Sequence, residues 1–159
     1  MDDVPALLDA LRRRGWTVTA AESCTGGMVA AAITDVAGSS EVFERGFVTY
    51  SNAAKAELLG VSLESLDAYG AVSEAVTREM AEGALSAAQA DVAVSISGIA
   101  GPGGSEHKPE GRVCFGLATA QGTLTETVEF GALGRAEVRR VARDHALGLI
   151  AKAVSAAQE

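Results

Sequence analysis

The 159 residues, 48% apolar and 21% charged, have the composition of one ordinary folded domain of 16.1 kDa spanning residues 1–159, and exclude a disordered chain. Thirteen Lys and Arg against twenty-one Asp and Glu leave a formal charge of −8, which excludes a broad basic face for nucleic acid or anionic membrane. Two cysteines and two histidines are too few for a structural zinc site or a disulfide framework, so no metal or cofactor is expected. With no signal peptide and no apolar run long enough to span a bilayer, the chain reads as cytoplasmic.

In chain order, Val4, Leu7, Leu8 and Leu11 recur at helical spacing and predict a helix over about residues 3 to 14, ended by Gly15. Residues 16–22 (WTVTAAE) predict a strand. Ser23-Cys24-Thr25-Gly26-Gly27 then turns the chain into an Ala-rich helix reaching about Val36, followed by a Gly38-Ser39-Ser40 loop. Phe47 to Tyr50 reads as a second strand, and Ser51 as the N-cap of a short helix carrying Lys55, Leu58 and Leu59 and stopping at Gly60. A loop with Tyr69-Gly70 leads to a helix over about 74–89, capped by Ser73, and Val92 to Ser97 is a buried strand. Gly98 to Gly111 is a long glycine-rich loop. Strands over about 112–119 and 123–130 flank Gln121-Gly122 and predict an antiparallel hairpin, before a final helix over about 135–156. Alternating strands and helices plus that hairpin predict a three-layer α/β/α sandwich with a mixed sheet.

Four segments could carry chemistry. Ser23 to Gly27 lies where a strand gives way to a helix, a junction that exposes a side chain at the sheet's edge beside free N–H groups. Ser23 and Cys24 compete there as nucleophiles, and strand alternation points them to opposite sides. Simple capping of the helix is the plainer alternative. Lys55 sits one turn inside a predicted helix N-terminus, where the dipole and burial would both favour its neutral form. A neutral lysine can act as general base for a serine, with Tyr50 orienting it or relaying a proton. A solvated lysine paired with Glu57 is the competing reading.

The loop Gly98-Ile99-Ala100-Gly101-Pro102-Gly103-Gly104-Ser105 matches neither a dinucleotide fingerprint nor a Walker loop. Its successive N–H groups can still hold a phosphate or carboxylate, with Lys108 and Arg112 near; a plain surface loop is the alternative. Arg135, Arg139 and Arg143 recur every four residues on one face of the last helix, with Arg140 to the side. Such charges usually form a solvated face, and one of them could instead clamp a phosphate. A triad through His107 has only the scarcity of histidines in its favour.

Five blocks, AESCTGG (21–27), ITDVAGSS (33–40), ERGFVTYSNAAK (44–55), GAVSE (70–74) and SISGIAGPGGS…KPEG (95–111), together resemble the CinA C-terminal family, in that family's order and over nearly the whole chain. Members include stand-alone bacterial nicotinamide-nucleotide amidases; larger relatives carry an additional N-terminal domain for which 159 residues leave no room. The resemblance implies hydrolysis of the carboxamide of nicotinamide mononucleotide to nicotinate mononucleotide and ammonia, a step of pyridine nucleotide salvage. It places the family's serine on Ser23, its tyrosine on Tyr50 and its lysine on Lys55. Thr25, Gly26, Gly27, Gly101, Gly103, Gly104, Ser105 and Arg139 would then address the substrate, with N–H groups near Gly26 and Gly27 meeting the oxyanion.

The alternative is a non-catalytic nucleotide-binding or regulatory module that uses the same loops. A competence-linked interaction protein is suggested by the family name alone, and the acidic balance argues against DNA contact. The expected partner is a small mononucleotide, with no nucleic acid and no membrane. Small residues such as Ala30, Ala31 and Ala32 suit close subunit packing, and a homo-oligomer is expected.

Overall fold

The computed structural model describes residues 3–156. Asp3 opens helix α1 (Val4–Arg14) by accepting the Ala6 N–H, and Gly15 closes it in a left-handed conformation. There follow β1 (Val18–Glu22), α2 (Met28–Thr34), a short 3-10 turn (Ser39–Glu41), β2 (Phe47–Val48), α3 (Asn52–Leu59), α4 (Leu63–Tyr69) and α5 (Glu74–Ala88). Strands β3 (Val92–Gly98), β4 (Arg112–Thr119) and β5 (Gly122–Glu129) and helix α6 (Arg135–Ala156) complete the chain.

The five strands form one mixed sheet in the order β2-β1-β3-β4-β5. The first three run parallel, and β4 and β5 are antiparallel, with Thr119 opposite Gly122 at the hairpin end. Alternation along β3 sends Val92, Val94 and Ile96 into a core with Leu8, Leu11, Val29, Ile33 and Ile150 of α1, α2 and α6. Ala93 and Ala21 face the other way, against Leu59, Leu66, Val76 and Met80 of α3, α4 and α5. The result is the expected α/β/α sandwich with a mixed sheet.

Helix α2 ends at Thr34 rather than near Val36, and three further differences from the sequence expectation have a visible cause. Strand β1 begins at Val18 rather than Trp16, because the Trp16 N–H donates to Leu11 O and still belongs to the end of α1. Strand β2 stops at Val48: Thr49 N–H donates to Glu22 O, after which the backbone turns toward Ser51, the N-cap of α3. Helix α4 occupies residues that carried no assignment, since Leu66 is its one buried residue and Leu63 is exposed.

The path of the parallel strands decides where a ligand fits. From β1 the chain passes through α2 on one face to β2, then through α3, α4 and α5 on the other face to β3 on the far side of β1. The strand order therefore reverses between β1 and β3, which opens a crevice at their carboxyl ends. Ser23 follows β1 and Ala100 follows β3 at that crevice. Close packing brings α3 to its rim: a Cβ on Gly83 of α5 would fall 1.9 Å from Leu59 O, so only glycine lets the two helices approach this closely. No helix among the described residues is long and apolar enough to cross a membrane.

Candidate active site

The crevice holds a cavity of about 250 Å³, walled by Ser23, Tyr50, Lys55, Gly98, Glu106 and Arg135, with Cys24 and Asn52 also reaching it. A larger groove of about 460 Å³ at the opposite end of the sheet is lined by Trp16, Leu117, Leu124 and Leu149 and contains no nucleophile beside a base.

Successive residues after β1 go to opposite sides. Glu22, 1% exposed, turns toward α2, and its carboxylate accepts N–H groups from Gly27 (3.2 Å), Val29 (3.0 Å) and Ala30 (3.0 Å). That carboxylate caps the positive end of α2, a favourable place for negative charge. Gly26 and Gly27 both have positive φ, which lets five residues turn the strand into the helix. Ser23 points the other way, to α3.

Lys55 is 1% exposed, and its Nζ lies 2.9 Å from Ser23 Oγ. The amine also donates to Thr49 O (2.9 Å) and Tyr50 O (3.3 Å). Burial lowers the Lys55 pKa from its ordinary value, because an ammonium loses its water there. Two N–H bonds to carbonyls leave a neutral amine with one lone pair, directed at the serine hydroxyl. Among the described residues no carboxylate pairs with the Lys55 amine, and the solvated pairing with Glu57 does not occur.

Cys24 faces the α6 side of the sheet. Burial raises its thiol to about 11, outweighing the Cys24 and Gly98 amides and Arg139, which pull it down. The thiolate is thus scarce at neutral pH.

The profile of the CinA C-terminal domain family matches residues 4–154. The chain belongs to the CinA C-terminal domain family. It is 66% identical over 123 residues to a nicotinamide-nucleotide amidohydrolase PncC of Enterobacter agglomerans, covering 76% of this chain and 75% of that protein. It is 63% identical over 139 residues to the PncC of Escherichia coli K12, covering 87% of this chain and 84% of the relative. Among solved structures, the competence/damage inducible protein CihA from Agrobacterium tumefaciens superposes with a TM-score of 0.91 at 42% identity, covering 96% of this chain and 93% of that one. A CinA superfamily protein from Klebsiella pneumoniae gives 0.92 at 37% identity, covering 96% and 95%.

In this CinA-family chain, Ser23, Lys55 and Tyr50 meet at the cavity, although Tyr50 is 60% exposed and its Oη accepts from Arg135 (2.8 Å). Other nominated residues have different places. Gly26 N–H donates to Ser23 O and Gly27 N–H to Glu22, so neither amide is available to an oxyanion. Among the described residues no backbone carbonyl takes the N–H of Cys24 or Thr25, the two amides that follow Ser23, and the Cys24 amide lies against its own thiol. Thr25 is buried with its hydroxyl unpartnered.

Arg139 does not line the cavity: its Nε donates to Cys24 O (2.9 Å) and its Nη2 to Thr25 O (3.3 Å), bracing the turn that follows Ser23. One helical turn earlier, Arg135 does line it, donating also to Gly101 O (2.7 Å). Arg140 and Arg143 face acidic side chains of α6, Glu137 and Asp144. Gly101, Gly103, Gly104 and Ser105 stand behind the wall formed by Gly98, Ala100 and Glu106, and Ser105 pairs with Lys108. His107 does not reach the cavity.

Sequence reasoning gave no site role to Glu22 or Glu106, and named Arg135 only as one of four arginines of which one could clamp a phosphate. The alternation that separates Ser23 from Cys24 also sends Glu22 toward the helix that follows, which was the available signal. Nothing in the sequence distinguishes Arg135 from Arg139 at four-residue spacing.

Proposed function

We propose that this chain hydrolyses the carboxamide of nicotinamide mononucleotide to nicotinate mononucleotide and ammonia, with Ser23 as nucleophile and Lys55 as general base. The observation that carries the reading is a buried lysine amine, with no carboxylate partner among the described residues, at 2.9 Å from a serine hydroxyl in a cavity at the strand-order reversal. Two relatives above 60% identity bear the name nicotinamide-nucleotide amidohydrolase, which supports the substrate.

Ser23 Oγ attacks the amide carbon as its proton passes to the Lys55 lone pair. The oxyanion meets the N–H groups of Cys24 and Thr25. Collapse breaks the C–N bond, and the Lys55 ammonium returns its proton to the departing nitrogen, giving ammonia and a nicotinoyl ester on Ser23. Water then attacks the ester, passing a proton through Lys55 back to Ser23 Oγ and releasing nicotinate mononucleotide. Tyr50 orients Lys55 through its carbonyl and offers its hydroxyl to the substrate. Arg135, fixed by Tyr50 Oη and Gly101 O, is the cation that meets the phosphate.

Ammonia release from nicotinamide mononucleotide by the purified chain tests the reading. Nucleotide binding with no ammonia would favour the non-catalytic module instead.

A further inference from the structure

Glu110 lies outside the cavity, in the stretch that returns from the glycine-rich loop to β4, yet its two oxygens reach two separate pieces of the site. Oε1 accepts the Gly103 N–H at 2.7 Å and Oε2 accepts the Gly134 N–H at 2.9 Å. Gly103 belongs to the loop after β3, and Gly134 is the residue before Arg135 at the start of α6. The side chain lies flat on the Gly101 α-carbon, where a Cβ would fall 2.6 Å from Glu110 Cδ. Gly101 is in turn the residue whose carbonyl receives Arg135 Nη1, and Arg135 Nη2 runs on to Tyr50 Oη.

These bonds close a ring: Glu110 to Gly103, along the loop to Gly101 O, to Arg135, to Gly134 and back to Glu110. Every link is a hydrogen bond or a short stretch of backbone. Arg135 is exposed and pairs with no carboxylate among the described residues, so its direction depends on the two acceptors it reaches and on where α6 begins. Glu110 holds the loop that carries one of those acceptors, Gly101 O, and the amide just before the helix start.

We propose that Glu110 is a positioning residue that clamps the glycine-rich loop to the start of α6, and thereby aims Arg135 at the anionic end of the substrate. The assignment of that anionic group to a nucleotide phosphate rests on the amidase reading above. The carboxylate acts by holding two backbone amides at once, so a side chain with one acceptor oxygen keeps part of the clamp and alanine keeps none. Its charge is spent on two N–H groups rather than on Arg135, which leaves the guanidinium positive toward the cavity.

The test compares wild type, Glu110→Gln and Glu110→Ala by two measurements: Michaelis parameters for ammonia release from nicotinamide mononucleotide, and amide hydrogen exchange at Gly103 and Gly134. Glu110→Ala is expected to raise KM roughly tenfold, the size of a lost hydrogen bond to a charged group, with kcat within about twofold. Glu110→Gln should fall between it and wild type. Exchange at Gly103 and Gly134 should accelerate together in Glu110→Ala while Val94 and Ile96 in the core stay protected. Unchanged KM, a fall in kcat at constant KM, or unchanged exchange at both glycines would overturn the proposal. If wild type releases no ammonia, the amidase reading fails by itself, and the paired exchange still decides whether the clamp exists.

Discussion

Lys55 Nζ lies 2.9 Å from Ser23 Oγ, although 32 positions separate the two residues in the chain. The contact joins the carboxyl end of β1 to the first turn of α3, and it is sealed from water on the lysine side. A lysine that is to activate a serine must be neutral, and burial with no carboxylate partner among the described residues shifts Lys55 toward that form.

The lowered Lys55 pKa fixes the sign of two pH effects. Turnover is lost as pH falls through the depressed folded value, because the ammonium cannot accept the serine proton. Stability follows the same direction: between that value and lysine's ordinary 10.5 the unfolded chain holds a proton that the folded chain does not, so stability rises with pH. Lys55→Met should therefore abolish turnover, keep nucleotide binding, and flatten the difference in melting temperature between neutral and alkaline pH. Thermal melts of both proteins across that range check it; parallel curves would mean that Lys55 stays charged when folded.

Cys24 neighbours Ser23 but is held as a thiol with a pKa raised to about 11. Cys24→Ala is expected to keep turnover within a few fold of wild type, and iodoacetamide at neutral pH should inactivate slowly. Loss of activity in Cys24→Ala, with an unchanged melt, would transfer the nucleophile's role to sulfur.

Glu22 fixes the turn on which Ser23 stands by taking three amides of the α2 N-terminus. Glu22→Ala leaves those buried donors unmade and should cost on the order of 3 kcal/mol. For a chain of this length that corresponds to a fall of roughly 6–12 °C in Tm, with turnover falling too because Ser23 loses its support. Glu22→Gln, with one acceptor oxygen, should lie between. A melt of Glu22→Ala equal to wild type would show that α2 does not depend on this cap.

Arg135 and Arg139 sit one helical turn apart with different partners. Arg135→Ala should raise KM for the nucleotide by about tenfold with a smaller effect on kcat, as expected for loss of an anion contact. Arg139→Ala releases the carbonyls of Cys24 and Thr25, so it should lower kcat and Tm together. Steady-state kinetics with melts separates the two, and the reverse pattern would return the phosphate to Arg139.

Much of this was legible before any coordinates. The junction at Ser23 was readable because a β-rich run ends in a hydroxyl and two glycines before an Ala-rich helix, whereas the reversal of strand order was not, since a mixed sheet leaves the order of its strands open. The burial of Lys55 was not, since a lysine in Asn-Ala-Ala-Lys is a good surface helix former and only the tertiary approach of α3 to α5 at Gly83 encloses it. Helix α4 escaped notice because Leu66 alone of its residues is buried, leaving no apolar period. That the amides of Gly26 and Gly27 are already taken was not legible, because the reach of Glu22 back over its own turn depends on how α2 folds above β1.

The most direct test of the central claim is the rate of ammonia release from nicotinamide mononucleotide by Ser23→Ala beside wild type, with melts as a control for folding. Loss of the attacking oxygen should lower kcat by roughly 10³ or more at unchanged Tm. A Ser23→Ala protein that turns over within tenfold of wild type would contradict the account.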